Sequence, residues 1–241
     1  AAAEAAERST RMLGAVKPPS GRMTVVFDPW VSAQFLGIVG GTLSGEAVQK
    51  GRSLFADRLG EDVAAPILTL VDDPTDPAAY TATETDGEGL ATRRNVLLAD
   101  GRLERFVHNS ETARRAGTVS TGSAVRGYSS TPGVGIRAVA VVPGDRSPAD
   151  LISGIRDGLL IQGVSGLHSG VNAVSGDFST GAEGLRIRDG ELAEPVREFT
   201  IASTIQKMLN DVTAIGDDLQ WLPMRAAGVT LVIGELTVSG V

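Results

Sequence analysis

The sequence predicts an α+β fold: a largely antiparallel, strongly curved or barrel-like β-sheet with a few packed helices. Three observations carry this. Apolar runs that neighbour one another are joined across Asp100–Gly101 and Asp189–Gly190, tight-turn pairs that fold a chain back antiparallel. Thirty glycines against 4% aromatic residues fit sharp bends and closely approaching backbones. Helical spacing is confined to a few segments between strand runs, so the helices belong outside the sheet.

Taken in order, "AAAEAAERSTRMLGA" reads as a helix stopped at Gly14, and "KPPSG" as a linker. "RMTVVFDP" is a strand closed by Pro29. "WVSAQFLGIVGGTLSGEAVQKG" has helical spacing diluted by Gly37, Gly40, Gly41 and Gly45, and "SLFADRLG" reads as a short helix. "APILTLVDDP" is a strand, residues 75–94 a long polar loop, and "NVLLADGRLERFVHN" a hairpin. "SETARRAG" is a short helix. Thr118–Pro132, rich in Ser, Thr and Gly, reads as a flexible surface loop. "GIRAVAVVPG" is a buried strand, and "SPADLISGIRDGLLI" a helix opened by a Ser147/Asp150 capping box. Strands follow in "VNAVSGDFS" and "AEGLRIRDGELAEPVREFTIA". "STIQKMLNDVTAIG" is a capped helix with Ile205, Met208, Leu209 and Val212 on one face, and "GVTLVIGELTVSG" a closing strand. A helix broken off at Ala1, followed by a linker to residue 22, is expected to be the end of a preceding N-terminal domain, with residues 23–241 forming the domain itself.

The net charge of −7 and the scattered arginines argue against nucleic acid and anionic membrane surfaces as partners. Without cysteine there can be no disulfide, zinc ribbon, iron–sulfur cluster or thiol nucleophile. No transmembrane run or signal peptide is visible, and a cytoplasmic location is the expectation.

Isolated chemistry is thin. "GVGIRA" (133–138) matches a dinucleotide pattern but is followed by a strand, where the pyrophosphate needs a helix N-terminus. His108 reads as a surface residue. His168 lies between Gly166 and Gly170, where a ligand could approach, and Asp177 could orient its imidazole as a base. Asp72–Asp73 or Asp217–Asp218 could serve an all-carboxylate site, but adjacent Asp pairs beside Pro or Gly read first as turn residues. Ser165, Ser169, Ser175 and Ser179 lack a nucleophile elbow and read as turn and cap serines.

The long run "GVNAVSGDFSTGAEGLRIRDGELAEPVREFTIASTIQKMLNDVTAIGDDL", with the terminal "TLVIGELTVSG", resembles the C-terminal domain of the TldD/PmbA family. The likeness extends back through "NVLLADGRLERFVHNSETARRAG" and "RSLFADRLGEDVAAPILTLVDDP" to about Met23. The resemblance implies subunits that work in pairs. TldD-type subunits carry a zinc helix with a His-Glu-x-x-x-His motif and a cysteine near the C-terminus; PmbA/TldE-type subunits lack these ligands and join a TldD partner to degrade or trim peptides. Family members are also linked to modulation of DNA gyrase, although nothing in this acidic chain points to direct DNA contact.

Counted back from "GRSLFADRLGE", the ligand positions hold Leu36 and Gly41 and the general-base position Gly37, while the tail "DDLQWLPMRAAGVTLVIG" has no cysteine. The resemblance is therefore to the PmbA/TldE side: no catalytic residue and no metal or other cofactor in this chain, zinc in a TldD-type partner, and a peptide substrate. Arg126, Tyr128, His168, Asn172, Asp177 and Phe178 are the residues expected to face substrate or partner. A homodimeric binding or scaffold module of the same fold is the alternative, separable by solution mass. A third reading, new chemistry at His168 and Asp177, is separable by His168→Ala.

Overall fold

The computed structural model describes residue 6 and residues 10–241. The helix expected over residues 1–15 lies largely outside these, although Ala6, Thr10 and Arg11 are helical. In chain order the first half contains strand β1 (Gly21–Phe27), helices α1 (Pro29–Thr42) and α2 (Gly45–Gln49), strands β2 (Leu70–Asp72), β3 (Asn95–Ala99) and β4 (Arg102–Leu103), and helix α3 (Ser110–Arg115). Three short strands follow, β5 (Ala124–Val125), β6 (Gly133–Val134) and β7 (Val139–Val141), then helix α4 (Pro148–Ser153). The second half contains β8 (Asp157–Ser165), α5 (Leu167–Gly170), β9 (Asp177–Arg188), β10 (Glu191–Thr204), α6 (Ile205–Asn210), β11 (Val212–Ile215), β12 (Gln220–Trp221), β13 (Ala227–Gly228) and β14 (Leu231–Ser239).

Five strands close into a barrel in the order β1–β8–β9–β10–β14 and back to β1, with β11 added along β14. The pairings are antiparallel except β1 with β8. This is the curved α+β sheet that the turn pattern predicts. Long strands bend this far because extra residues break the register: β9 and β10 slip between Leu192 and Pro195 and between Val196 and Phe199, and Glu198 takes a positive φ of 56° there. Pro195, which has no N–H for the ladder, sits in the first of these irregularities.

One continuous core runs from Val25, Phe27, Leu159 and Ile161 inside the barrel, through Phe35 and Leu36 of α1, to Leu70 and Leu98 of a second sheet ordered β4–β3–β2–β7. Val26, Leu160, Leu185, Ile187 and Val232 face the other way and pack under Leu151 and Ile152 of α4. Stretches of β1, β8, β9 and β14 are thus apolar on both faces, and there the sequence reads as runs rather than alternations.

That two-sided burial explains two misreadings. "GLLI" continues no helix: α4 stops at Ser153, and Leu159, Leu160 and Ile161 alternate in β8. Val212 likewise leaves α6 and pairs with Ile233 in β11. Two further corrections concern local chemistry. "SLFADRLG" forms turns instead of a helix, because Ser53 Oγ donates to the Thr42 carbonyl (2.6 Å) and accepts from Phe55 N–H (3.0 Å). "VNAVS" is a turn, with Asn172 Oδ1 accepting from the N–H groups of Val174 (2.9 Å) and Ser175 (3.2 Å).

Candidate functional site

Helix α1, which carries the three motif positions, is fixed at its N-terminal end. Asp28 caps it, accepting from Val31 N–H at 2.9 Å, and Pro29 supplies the first helical residue. It docks on β13, where a Cβ at Gly228 would lie 1.7 Å from the Pro29 carbonyl oxygen; only glycine permits this approach. Ser32 Oγ takes the Val229 N–H at 2.9 Å.

The three motif positions do not form a site. Leu36 is fully buried in the core, whereas Gly37 and Gly41 stand one turn apart on the outer side with nothing near their absent side chains. Gly40 differs, since Ile136 Cδ1 lies 2.7 Å from where its Cβ would be. The outer stripe of α1 therefore runs Trp30, Gln34, Gly37, Gly41, with Trp30 42% exposed.

Thr118–Pro132 is only in part the loop expected. Its second half climbs into a hairpin, with Ala124 paired to Val134 and Val125 to Gly133. Arg126 and Tyr128 sit on the tip, and Tyr128 is fully exposed. The hairpin's feet are bonded to the second sheet. Asp72 Oδ1 accepts from the N–H groups of Arg137 (2.9 Å) and Ala138 (2.7 Å), and Asn95 Nδ2 donates to the Thr121 carbonyl (3.3 Å). Asp86 Oδ2 accepts from Ala124 N–H at 3.1 Å. Asp73 is the turn residue expected, accepting from Thr75 N–H at 3.1 Å. Asp72 is not: it ends a strand and is 1% exposed. Sequence reasoning missed this anchoring role, and residue type alone could not have signalled it. Asp218 is also structural, accepting from Thr230 N–H (2.9 Å) and Oγ1 (2.7 Å).

The connection from β8 to β9 carries the other expected residues. His168 is exposed on the single turn of α5, and Asn172 holds the turn described above. Asp177 is exposed and accepts from Ser175 Oγ at 2.6 Å. Among the described residues no hydrogen bond or ion pair joins it to His168. Phe178 corrects its expectation. It is buried, packed edge-on against Phe35 at 6.1 Å, and Phe35 packs in turn on Phe27 at 6.0 Å. The strand's alternation turns it into the barrel, away from any surface ligand. His108 is also not a surface residue. Its ring lies on Gly45, where a Cβ would sit 2.2 Å from Cε1 and Nδ1, and Nδ1 is 3.2 Å from Thr112 Oγ1. Burial holds its pKa below the ordinary 6.5.

Helix α1 thus touches the root of both expected segments, Ile136 below the hairpin and Phe178 at the start of β9. The donor set does not fit zinc. Leu36 offers a buried hydrocarbon, Gly37 and Gly41 offer no side chain, and among the described residues no three His, Cys, Asp or Glu side chains cluster as ligands.

This geometry, a closed five-strand mixed barrel with a helix packed against it, is that of a PmbA/TldD-type C-terminal domain. TldE from Thermococcus kodakarensis superposes with a TM-score of 0.91 at 27% identity, covering 99% of this chain and 55% of that one. The model of the PmbA/TldA metallopeptidase C-terminal domain matches residues 20–240, and the chain belongs to this PmbA/TldD family. A metalloprotease of Methanothermobacter thermautotrophicus is 32% identical over 89% of this chain and 47% of its own length. Metalloprotease PmbA of Escherichia coli O157:H7 is 27% identical over 99% and 50%. The chain spans about half the length of the curated relatives it matches. No helix among the described residues is long and apolar enough to cross a membrane.

Proposed function

We propose that this chain is the non-catalytic, PmbA/TldE-type half of a cytoplasmic peptidase pair, in which a TldD-type subunit supplies the zinc and the peptide bond is cut on that subunit's side. The observation that carries this reading is α1: the resemblance makes it the counterpart of the metal helix, and its three motif residues offer no side-chain donor atom. A Zn²⁺ ion needs imidazole, thiolate or carboxylate ligands, and its bound water needs a base. Loss of all three leaves architecture without hydrolytic chemistry. The same substitutions free the outer stripe for packing, since Gly37 and Gly41 let another backbone come close beside Trp30. The hairpin tip with Arg126 and Tyr128, and the turn with His168 and Asn172, are the segments through which this subunit would meet peptide or partner.

Co-expression with a TldD-type protein from the same genome tests the reading. The expected result is a stable pair holding zinc and cleaving peptides, with the isolated chain holding none and cleaving nothing. Peptide cleavage by the isolated chain with zinc bound to its own residues would overturn it. So would a self-dimer that ignores every TldD-type subunit, which would favour a scaffold module.

A further inference from the structure

Buried polar atoms in folded proteins nearly all find a hydrogen-bond partner. Asp72 Oδ2 and Asn95 Oδ1 have none, and both are oxygens. The two residues are register partners on the antiparallel strands β2 and β3, so their side chains leave the same face with Cβ atoms about 5 Å apart. They are 1% and 0% exposed. The remaining polar atoms of both are committed. Asp72 Oδ1 holds the Arg137 and Ala138 amides. Asn95 Nδ2 donates to the carbonyls of Arg93 (3.0 Å) and Thr121 (3.3 Å), which fixes the amide, since a flip would set its oxygen against both. Two neighbouring acceptors therefore lack a donor.

We propose that Asp72 is a neutral carboxylic acid in the folded chain, its O–H donating to Asn95 Oδ1, and that this bond ties together the two feet of the hairpin bearing Arg126 and Tyr128. One foot, Arg137–Ala138, hangs from Asp72; the other, Thr121, hangs from Asn95 and from the backbone of His108, whose N–H donates to Thr121 Oγ1 at 2.7 Å. The shared proton makes them one clamp.

The surrounding charges pull both ways. Burial, the largest influence, raises the Asp72 pKa above the usual 3.8, and the neighbouring Asp73 carboxylate acts in the same sense; the Ala138 and Arg137 amides and the Arg137 guanidinium oppose them. Asp73 itself faces Arg94 at 3.8 Å. Arg137 Nη2 donates to the Ala124 carbonyl at 3.0 Å, and its Nε has no partner, so the guanidinium is not hydrogen-bonded to the Asp72 carboxyl. Asp86 faces the same hairpin but serves the Ala124 amide. The sign follows. The fold favours the protonated form, so its stabilisation is complete at low pH and is lost as pH rises through the raised folded value. Ionisation then leaves two unpaired oxygens face to face, and the hairpin loosens.

Native-state hydrogen exchange of the amides in residues 123–135, corrected for intrinsic rates, tests this between about pH 5 and pH 9, where buried carboxyls titrate. In the unmodified chain, hairpin protection should fall roughly tenfold per pH unit up to the raised folded value, where only the open state loses the Asp72 proton, and level off once Asp72 ionises in the folded chain as well. Asp72→Asn, whose N–H replaces the acid O–H, should keep full protection with no such slope. Trypsin cleavage after Arg126 should follow the same two profiles. Protection that is flat with pH in the unmodified chain would overturn the proposal. So would an Asp72→Asn chain whose hairpin loosens at neutral pH, since that would mean an ionised carboxylate is what the hairpin needs.

Discussion

Single atoms decide what each glycine of α1 is for. Gly37 faces open space in a helix interior, and a methyl group there meets nothing within 4 Å. Gly37→Ala is expected to stabilise the isolated chain by about 1 kcal/mol, read from the urea midpoint. Gly40→Ala puts a methyl 3.2 Å from the Cγ2 atoms of buried Ile136 and Val139, which must give way, and should destabilise by about 1 kcal/mol in the same assay. A gain at position 37 coupled to weaker pairing with a TldD-type subunit would identify that glycine as kept for contact. His108 makes its prediction through pH. Its pKa is depressed by burial, so the fold favours the neutral ring; stability is whole above the ordinary 6.5 and declines as pH falls through the lower folded value. Denaturant midpoints taken from about pH 7.5 down to pH 5 should drop more steeply for the unmodified chain than for His108→Gln.

Elements show where the sequence is legible and where it is not. Both Asp–Gly tips lie where their turn chemistry put them, with Asp100 and Asp189 at φ 47° and 48°. The Ser147 cap is equally local: its Oγ accepts from Asp150 N–H at 3.1 Å. The hairpin at 124–134 left no such trace. It is held at its feet by Asp72, Asp86 and Asn95, residues tens of positions upstream, and a segment fastened from so far away looks like loose polar chain. Phe178 misled for another reason. A glycine- and serine-rich neighbourhood suggests surface, yet the exposed–buried alternation of Asp177, Phe178, Ser179 and Thr180 is that of a strand with one face on a core. The hairpin tip yields a test at this scale. Tyr128 makes no packing contribution, so Tyr128→Ala should leave the melting temperature within about 1 °C of the unmodified chain. Its effect should appear as weaker pairing or a raised KM for peptide in the assembled complex.

At the scale of the whole molecule, the curved α+β class follows from turn pairs and glycine content, but the closure does not. Nothing in "RMTVVF" names "LVIGELTV" as its partner, and apolar strands covered on both faces carry no alternation from which a neighbour's register could be read. The degenerate helix was legible only through the family likeness; the burial of Leu36 away from Gly37 and Gly41 needed coordinates. The pairing of β1 with β14, where Gly21 lies opposite Val238, has a kinetic side. The first strand of the barrel must wait for a partner made roughly two hundred residues later, and contacts so distant along a chain place a fold among the slower ones. Until β14 has been made, one edge of β1 stays unpaired, so newly made copies are exposed to mispairing and to chaperone capture before the closed barrel hides that edge.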